Sequence, residues 1–196
     1  MPTTGTDGFS FRSSAAGIAP IGPTVPDVLA PWHDFYVVTG TAGATLVGLL
    51  FVAASIGSGV FTEEHRIPFR SFVSPSVVHF SSALAASLIA LSAVRRWGFF
   101  ALLEGGLGLF GLAYSSLVWR TMIRHGLTAT IDLEDRICYA ALPAFSYAIL
   151  LAAAVLLATP RAAGLAVLAG GVGLLLLVGI RNAWDITTWT ITRHRD

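Results

Sequence analysis

The stretch AAGLAVLAGGVGLLLLVGI, residues 162–180, is apolar throughout and carries no charge. A helix rises about 1.5 Å per residue, so a run of this length crosses the ~30 Å hydrocarbon core of a bilayer. Four further apolar runs of similar length precede it. The sequence therefore predicts an all-α integral membrane protein with five transmembrane helices, at about 35–58, 71–94, 97–119, 137–158 and 162–188.

The composition limits the classes of function. Of the 196 residues, 55% are hydrophobic and 12% are charged, whereas a soluble domain has about 25% charged residues. The net charge of +1 and the lack of a basic run argue against nucleic-acid binding. With its high apolar content, the chain is expected to be surrounded by the lipid bilayer. There is no lysine for a Schiff-base cofactor, and Cys138 is the single cysteine. We expect neither a cofactor nor a metal site.

The ends of the chain differ from its apolar middle. Residues 1–31 are rich in Gly, Pro, Ser and Thr, which predicts a flexible tail, and prolines interrupt the part that a secretory signal would need. We expect a single transmembrane domain over residues 32–192 and a short cytoplasmic C-terminus over residues 193–196.

Arginine placement predicts the orientation. Seven arginines flank the spans on the side of the C-terminus and three on the other side, so the positive-inside rule places the C-terminus in the cytoplasm and the N-terminus outside. The strings GLLFV, residues 48–52, and NAWD, residues 182–185, are similar to segments of small bacterial membrane proteins. That resemblance implies a location in the bacterial inner membrane.

An internal repeat is suggested by an offset of 65 residues. Residues 80–119 and 145–184 then share fourteen identities in forty positions, including Phe80 with Phe145 and Gly105 with Gly170. This predicts one helix followed by two parallel-repeated helix hairpins, an arrangement that some transporters use. Chance similarity between segments rich in Ala, Leu and Gly is the alternative.

Small residues near four-residue spacing predict close helix packing in lipid. They lie on the first, third and fifth spans: Gly40, Ala44, Gly48, Gly108, Gly111, Gly170 and Gly173. These faces would either join copies of the chain in a homo-oligomer or close the monomer, and both readings remain open.

Glu104 is the most costly residue to place in a bilayer, because it lies seven residues into the third span. Gly108 and Gly111, one and two turns further on, put its carboxyl on a helix-contact face. An ion ligand or a proton carrier is the functional hypothesis. A structural carboxyl, neutral or paired with Arg95 or Arg96, is the alternative.

His79 and Ser82 lie on a polar face of the second span, which also contains Pro75. Such a face can line a water-filled path, and imidazole can relay protons. The alternative is that the serines bond the carbonyls of their own helix.

Arg181, Asn182 and Asp185 end the fifth span, with Arg181 and Asp185 at i,i+4 spacing. We expect a gate or a partner contact at the cytoplasmic mouth, or else charges that only reach the membrane interface.

The sequence contains none of the common catalytic motifs, so we expect no catalytic residues and expect that the protein is not an enzyme. The sequence favours a homo-oligomeric channel or small transporter that passes ions or protons. The alternative is a non-transporting membrane subunit, or an assembly or regulatory partner of another membrane complex.

Overall fold

The computed structural model is an all-helical bundle, and it describes residues 24–58, 63–124, 137–158 and 162–193. A short helix, α1, is followed by a 3₁₀ turn at Ala30–Trp32, and a π-helical turn at Ile137–Ala141 precedes the fifth helix. The α-helices are α1 Val25–Leu29, α2 His33–Ser58, α3 Glu63–Leu91, α4 Trp97–Arg124, α5 Leu142–Leu157 and α6 Ala162–Arg193.

The membrane class predicted from the sequence is confirmed. Four helical segments are long and apolar enough to cross a bilayer: Val25–Ser55, Trp97–Thr121, Cys138–Leu157 and Ala163–Asp185. The described apolar part of α3, Pro75–Leu91, is shorter. Helix α3 as a whole runs for 29 residues, so it is the fifth long helix of the bundle.

Four of the long helices pack as a ring, and the fifth packs against the outside of that ring. Helix α4 packs along α5, α5 along α6, and α6 along α3, while α3 and α4 close the ring with fewer contacts. Helix α2 packs outside this ring against α3. The core contains Phe80 of α3, Phe100 of α4, Leu150 of α5 and Leu168 of α6, all fully buried. Helix α3 is therefore the ring member that also packs against α2.

Helical structure begins inside the segment that is predicted as a flexible tail, residues 1–31. Residues 1–23 lie outside the described part of the chain, but α1 already begins at Val25. Thr24 and Asp27 form a capping box that starts the helix, with the Asp27 carboxylate accepting a hydrogen bond from the Thr24 N–H at 2.9 Å. Val25 and Leu29, one turn apart, are buried in the core. Capping and packing order residues 24–31, which their Gly, Pro, Ser and Thr content led us to predict as flexible.

The environments of the aligned residues do not support the internal repeat. Phe80 is fully buried, whereas its counterpart Phe145 is 58% exposed. Gly105 faces Ala154 of α5, whereas nothing lies within 4 Å of a Cβ built on Gly170. Residues related by duplication should keep equivalent environments, so the prediction of repeated hairpins gains no support from the fold.

Candidate functional site

The interior of the bundle contains an unusual number of buried polar side chains. Helix α3 contributes the largest share, and the others come from all four remaining long helices. The buried polar and charged residues are Thr39, Ser76, His79, Ser82, Ser87, Glu104, Ser115, Ser146 and Asn182. Polar groups inside a membrane helix bundle are costly and mark sites of function more often than those in soluble proteins.

Glu104 is fully buried on α4. Neither of its carboxyl oxygens has a hydrogen-bond partner among the described residues. The residue lies on the same helical face as Gly108, whose position faces the backbone of α5 at Leu151, so the acid points into the bundle as its spacing predicted. Arg95 and Arg96 are exposed at the turn before α4. The structural alternative of a Glu104–arginine pair is therefore wrong.

Tyr36 of α2 is a second buried residue whose oxygen lacks a hydrogen-bond partner among the described residues. Its side chain is fully buried, its hydroxyl has no hydrogen-bond partner in the described part of the chain, and it lies close enough to Glu104 for an electrostatic interaction. We call Glu104 and Tyr36 the carboxyl layer. Helices α2 and α4 thus each bury an oxygen-bearing group that has no hydrogen-bond partner among the described residues.

A second group of polar atoms meets at Tyr147 of α5. The Tyr147 hydroxyl lies 3.1 Å from Nδ1 of His79 and 3.0 Å from Oγ of Ser82, both on α3. All three side chains are buried. The second ring nitrogen of His79, Nε2, has no hydrogen-bond partner among the described residues. We call His79, Ser82 and Tyr147 the tyrosine cluster.

Glycine on α4 makes room for the Tyr147 ring. A Cβ at Gly111 would collide with three ring carbons of Tyr147, so only glycine lets the ring lie across α4 and reach α3. Pro143, one turn before Tyr147, opens α5 directly after the π-helical turn. Proline donates no backbone hydrogen bond, which favours such an irregular turn, and π-helical turns are frequent near functional sites.

The two groups lie at different depths. Glu104 and Gly111 are seven residues apart on α4, which corresponds to about 10 Å along the helix axis. Beyond the tyrosine cluster, the Oγ atoms of Ser76 and Ser115 are also buried and without hydrogen-bond partners among the described residues. Polar atoms with unused hydrogen-bonding capacity therefore occur at successive levels inside the bundle.

Thr39 and Ser87 form a further polar contact between α2 and α3. Their hydroxyl oxygens lie 2.9 Å apart, and Thr39 also donates to the Phe35 carbonyl oxygen at 2.9 Å. Gly40 lets the helices approach, since a Cβ there would lie 3.0 Å from Cβ of Ser87. This contact is satisfied, which distinguishes it from the carboxyl layer.

The residues predicted at the cytoplasmic mouth divide into two environments. Arg181 Nε lies 3.3 Å from a carboxylate oxygen of Asp185, and both side chains are partly exposed, so the predicted i,i+4 pair forms at the surface. Asn182 faces the other way and is fully buried, and its amide oxygen and nitrogen have no hydrogen-bond partner among the described residues.

The glycines predicted at helix contacts also divide. Positions 40, 108 and 111 face neighbouring helices at close range, while Cβ atoms at positions 48, 170 and 173 would meet nothing within 4 Å. Ala44 is exposed. The second set lies on faces that the described chain leaves uncovered.

Sequence reasoning named Glu104, His79 and Ser82 but missed Tyr147, which joins the last two. The available signals were a tyrosine in a helix otherwise made mainly of Ala and Leu, and a glycine at position 111. In the part of the chain that the structure describes, no three His, Cys, Asp or Glu side chains gather into a group that could hold a metal ion. Comparison with protein families, curated proteins and solved structures gives no match.

Proposed function

We propose that the protein is a membrane channel or small transporter that passes ions or protons through the polar interior of its helix bundle. One observation carries the proposal: the Glu104 carboxyl is fully buried, and neither oxygen has a hydrogen-bond partner among the described residues. Burying such a group without a partner costs several kcal/mol. A sequence selected only for a stable bundle would place an apolar residue at this position.

The surroundings of Glu104 favour a polar pathway through the bundle over an isolated, energetically unfavourable carboxyl group. Among the described residues, buried polar atoms without hydrogen-bond partners recur at Tyr36, His79, Ser76 and Asn182, in four of the five long helices when Glu104 is included. Intramembrane ionisable groups typically line substrate and ion pathways or proton relays. The path would enter near the carboxyl layer, pass the tyrosine cluster and leave near Asn182.

The setting of this activity is part of the proposal. We place the chain in the bacterial inner membrane with its N-terminus outside and its C-terminus in the cytoplasm. The uncovered positions Gly48, Gly170 and Gly173 suit close contact between copies of the chain, so we infer a homo-oligomer.

Flux through proteoliposomes tests the proposal. Purified protein would be reconstituted, and the flux of H⁺, Na⁺ and K⁺ measured for the wild type, for Glu104→Gln and for the control Asp34→Asn. Asp34 is exposed at the start of α2, so its substitution makes the same chemical change outside the interior. We expect wild-type flux of at least one cation, loss of that flux in Glu104→Gln and retention in Asp34→Asn.

Two results would overturn the proposal. Well-folded wild type without flux of any of the three cations would favour a non-transporting subunit that docks another membrane protein. Equal flux in wild type and Glu104→Gln would remove the acid from the path. Gel filtration and thermal unfolding of each variant would separate these results from misfolding.

A further inference from the structure

The tyrosine cluster has the geometry of a proton relay. The Tyr147 hydroxyl stands between two hydrogen-bonding atoms, Nδ1 of His79 at 3.1 Å and Oγ of Ser82 at 3.0 Å. A hydroxyl can accept a hydrogen bond from one neighbour while it donates to the other. The contacts therefore run from the Ser82 hydroxyl to the Tyr147 hydroxyl and on to the His79 imidazole, whose second nitrogen lies beyond.

His79 can continue the relay. Its Nδ1 faces Tyr147, while Nε2 is buried and has no hydrogen-bond partner among the described residues. An imidazole can receive a proton at one nitrogen and release a proton from the other. The proton would thus leave the cluster from Nε2, on the side away from the Tyr147 hydroxyl.

We propose that the transported species is the proton, and that the Tyr147 hydroxyl relays it between Ser82 and His79; this inference rests on the proposed function. A proton arriving at Ser82 Oγ from the side of Glu104 releases the original Ser82 proton to the Tyr147 oxygen. Tyr147 passes its own proton to Nδ1 of His79, and His79 releases a proton from Nε2. One proton enters and one leaves, and no group keeps a charge.

Resetting consumes no reactant but uses water as a proton carrier. The imidazole turns about its Cβ–Cγ bond, a water molecule takes the proton from Nδ1 and returns one to Nε2, and the ring and the two hydroxyls rotate back to the starting arrangement. The reverse sequence carries a proton in the opposite direction, so the imposed gradient decides the direction of net flow.

The same residues suit a metal cation poorly. Hard cations in proteins are held by several oxygen ligands together, six or more for Ca²⁺ and a ring of carbonyl oxygens for K⁺. The tyrosine cluster provides two hydroxyls and one imidazole, and the carboxyl of Glu104 lies about 10 Å away along α4. A proton requires only a succession of exchangeable groups, which this arrangement supplies.

Tyr147→Phe tests the relay because it removes the hydroxyl and leaves the ring that packs on Gly111. Tyr139→Phe is the matched control, since Tyr139 is half-buried in the π-helical turn. In proteoliposomes under an imposed pH gradient, we expect proton flux to fall by about a hundredfold in Tyr147→Phe and to stay unchanged in Tyr139→Phe. Ser82→Ala interrupts the same relay and serves if Tyr147→Phe does not fold.

Parallel measurement of Na⁺ and K⁺ separates the two levels of inference. Wild-type flux of protons alone, lost in Tyr147→Phe, supports the relay. Flux of Na⁺ or K⁺ in the wild type refutes the assignment to protons and leaves the proposed function standing. Wild-type proton flux in folded Tyr147→Phe refutes the role of the hydroxyl. No flux of any cation in the wild type refutes the proposed function itself.

Discussion

Gly111→Ala is the substitution that most directly tests how the tyrosine cluster is built. A Cβ at this position would come closer than 3.0 Å to the Tyr147 ring, whereas ordinary van der Waals contact begins at 3.4 Å. The ring or α4 must therefore shift by about 1 Å or more. The Tyr147 hydroxyl lies 3.0 Å from Ser82 and 3.1 Å from His79, and these hydrogen bonds tolerate little movement because a hydrogen bond is lost by about 3.6 Å.

The expected magnitude follows from three contributions. Overpacking a filled interior costs about 1–3 kcal/mol, and each lost hydrogen bond costs about 0.5–1.5 kcal/mol. Alanine is a better helix former than glycine, which offsets about 1 kcal/mol of this loss of stability. We expect Gly111→Ala to lower the free energy of unfolding by about 3 kcal/mol and to reduce flux along with it.

Gly106→Ala, on the same helix, provides the control. A Cβ at Gly106 would meet nothing within 4 Å, so only the helix-propensity contribution remains and the variant should be as stable as the wild type or slightly more stable. Reversible unfolding in mixed micelles, followed by circular dichroism, measures both variants. Equal stability of Gly111→Ala and Gly106→Ala would refute the placement of the Tyr147 ring across α4.

Two further predictions concern contacts away from the tyrosine cluster. A double-mutant cycle with Thr39→Val and Ser87→Ala should give a coupling energy of about 0.6 kcal/mol, because the two hydroxyls bond across α2 and α3; strictly additive effects on unfolding would contradict this contact. Cys138, the single cysteine and buried in the structure, should react with a maleimide only after denaturation, and rapid labelling of the folded protein would contradict its burial.

Much of the helical architecture could be predicted from the sequence, because long apolar runs without charges have few alternatives in a bilayer. The inward direction of Glu104 was also predictable, since residues one and two turns away on its helix are glycines. The surface pair of Arg181 and Asp185 followed from its i,i+4 spacing. These are local properties of single helices.

The contacts between helices were not predictable in the same way. Tyr147 joins His79 and Ser82 across 65 or more residues of sequence, and the periodicity of α5 does not tell which neighbour its tyrosine meets. The internal repeat gains no support for a related reason: Phe80 and Phe145 are identical in type but face the core and the outside respectively. Apolar composition allows many pairings, and only packing selects among them.

The most direct test of the central claim is the initial rate of proton influx into proteoliposomes, compared between wild type, Glu104→Gln and Glu104→Asp at equal protein content. We expect a wild-type rate well above that of empty vesicles, a Glu104→Gln rate equal to that of empty vesicles, and partial activity in Glu104→Asp because a carboxyl group is retained. A wild-type rate equal to that of empty vesicles, or a Glu104→Gln rate equal to the wild type, would contradict the central claim.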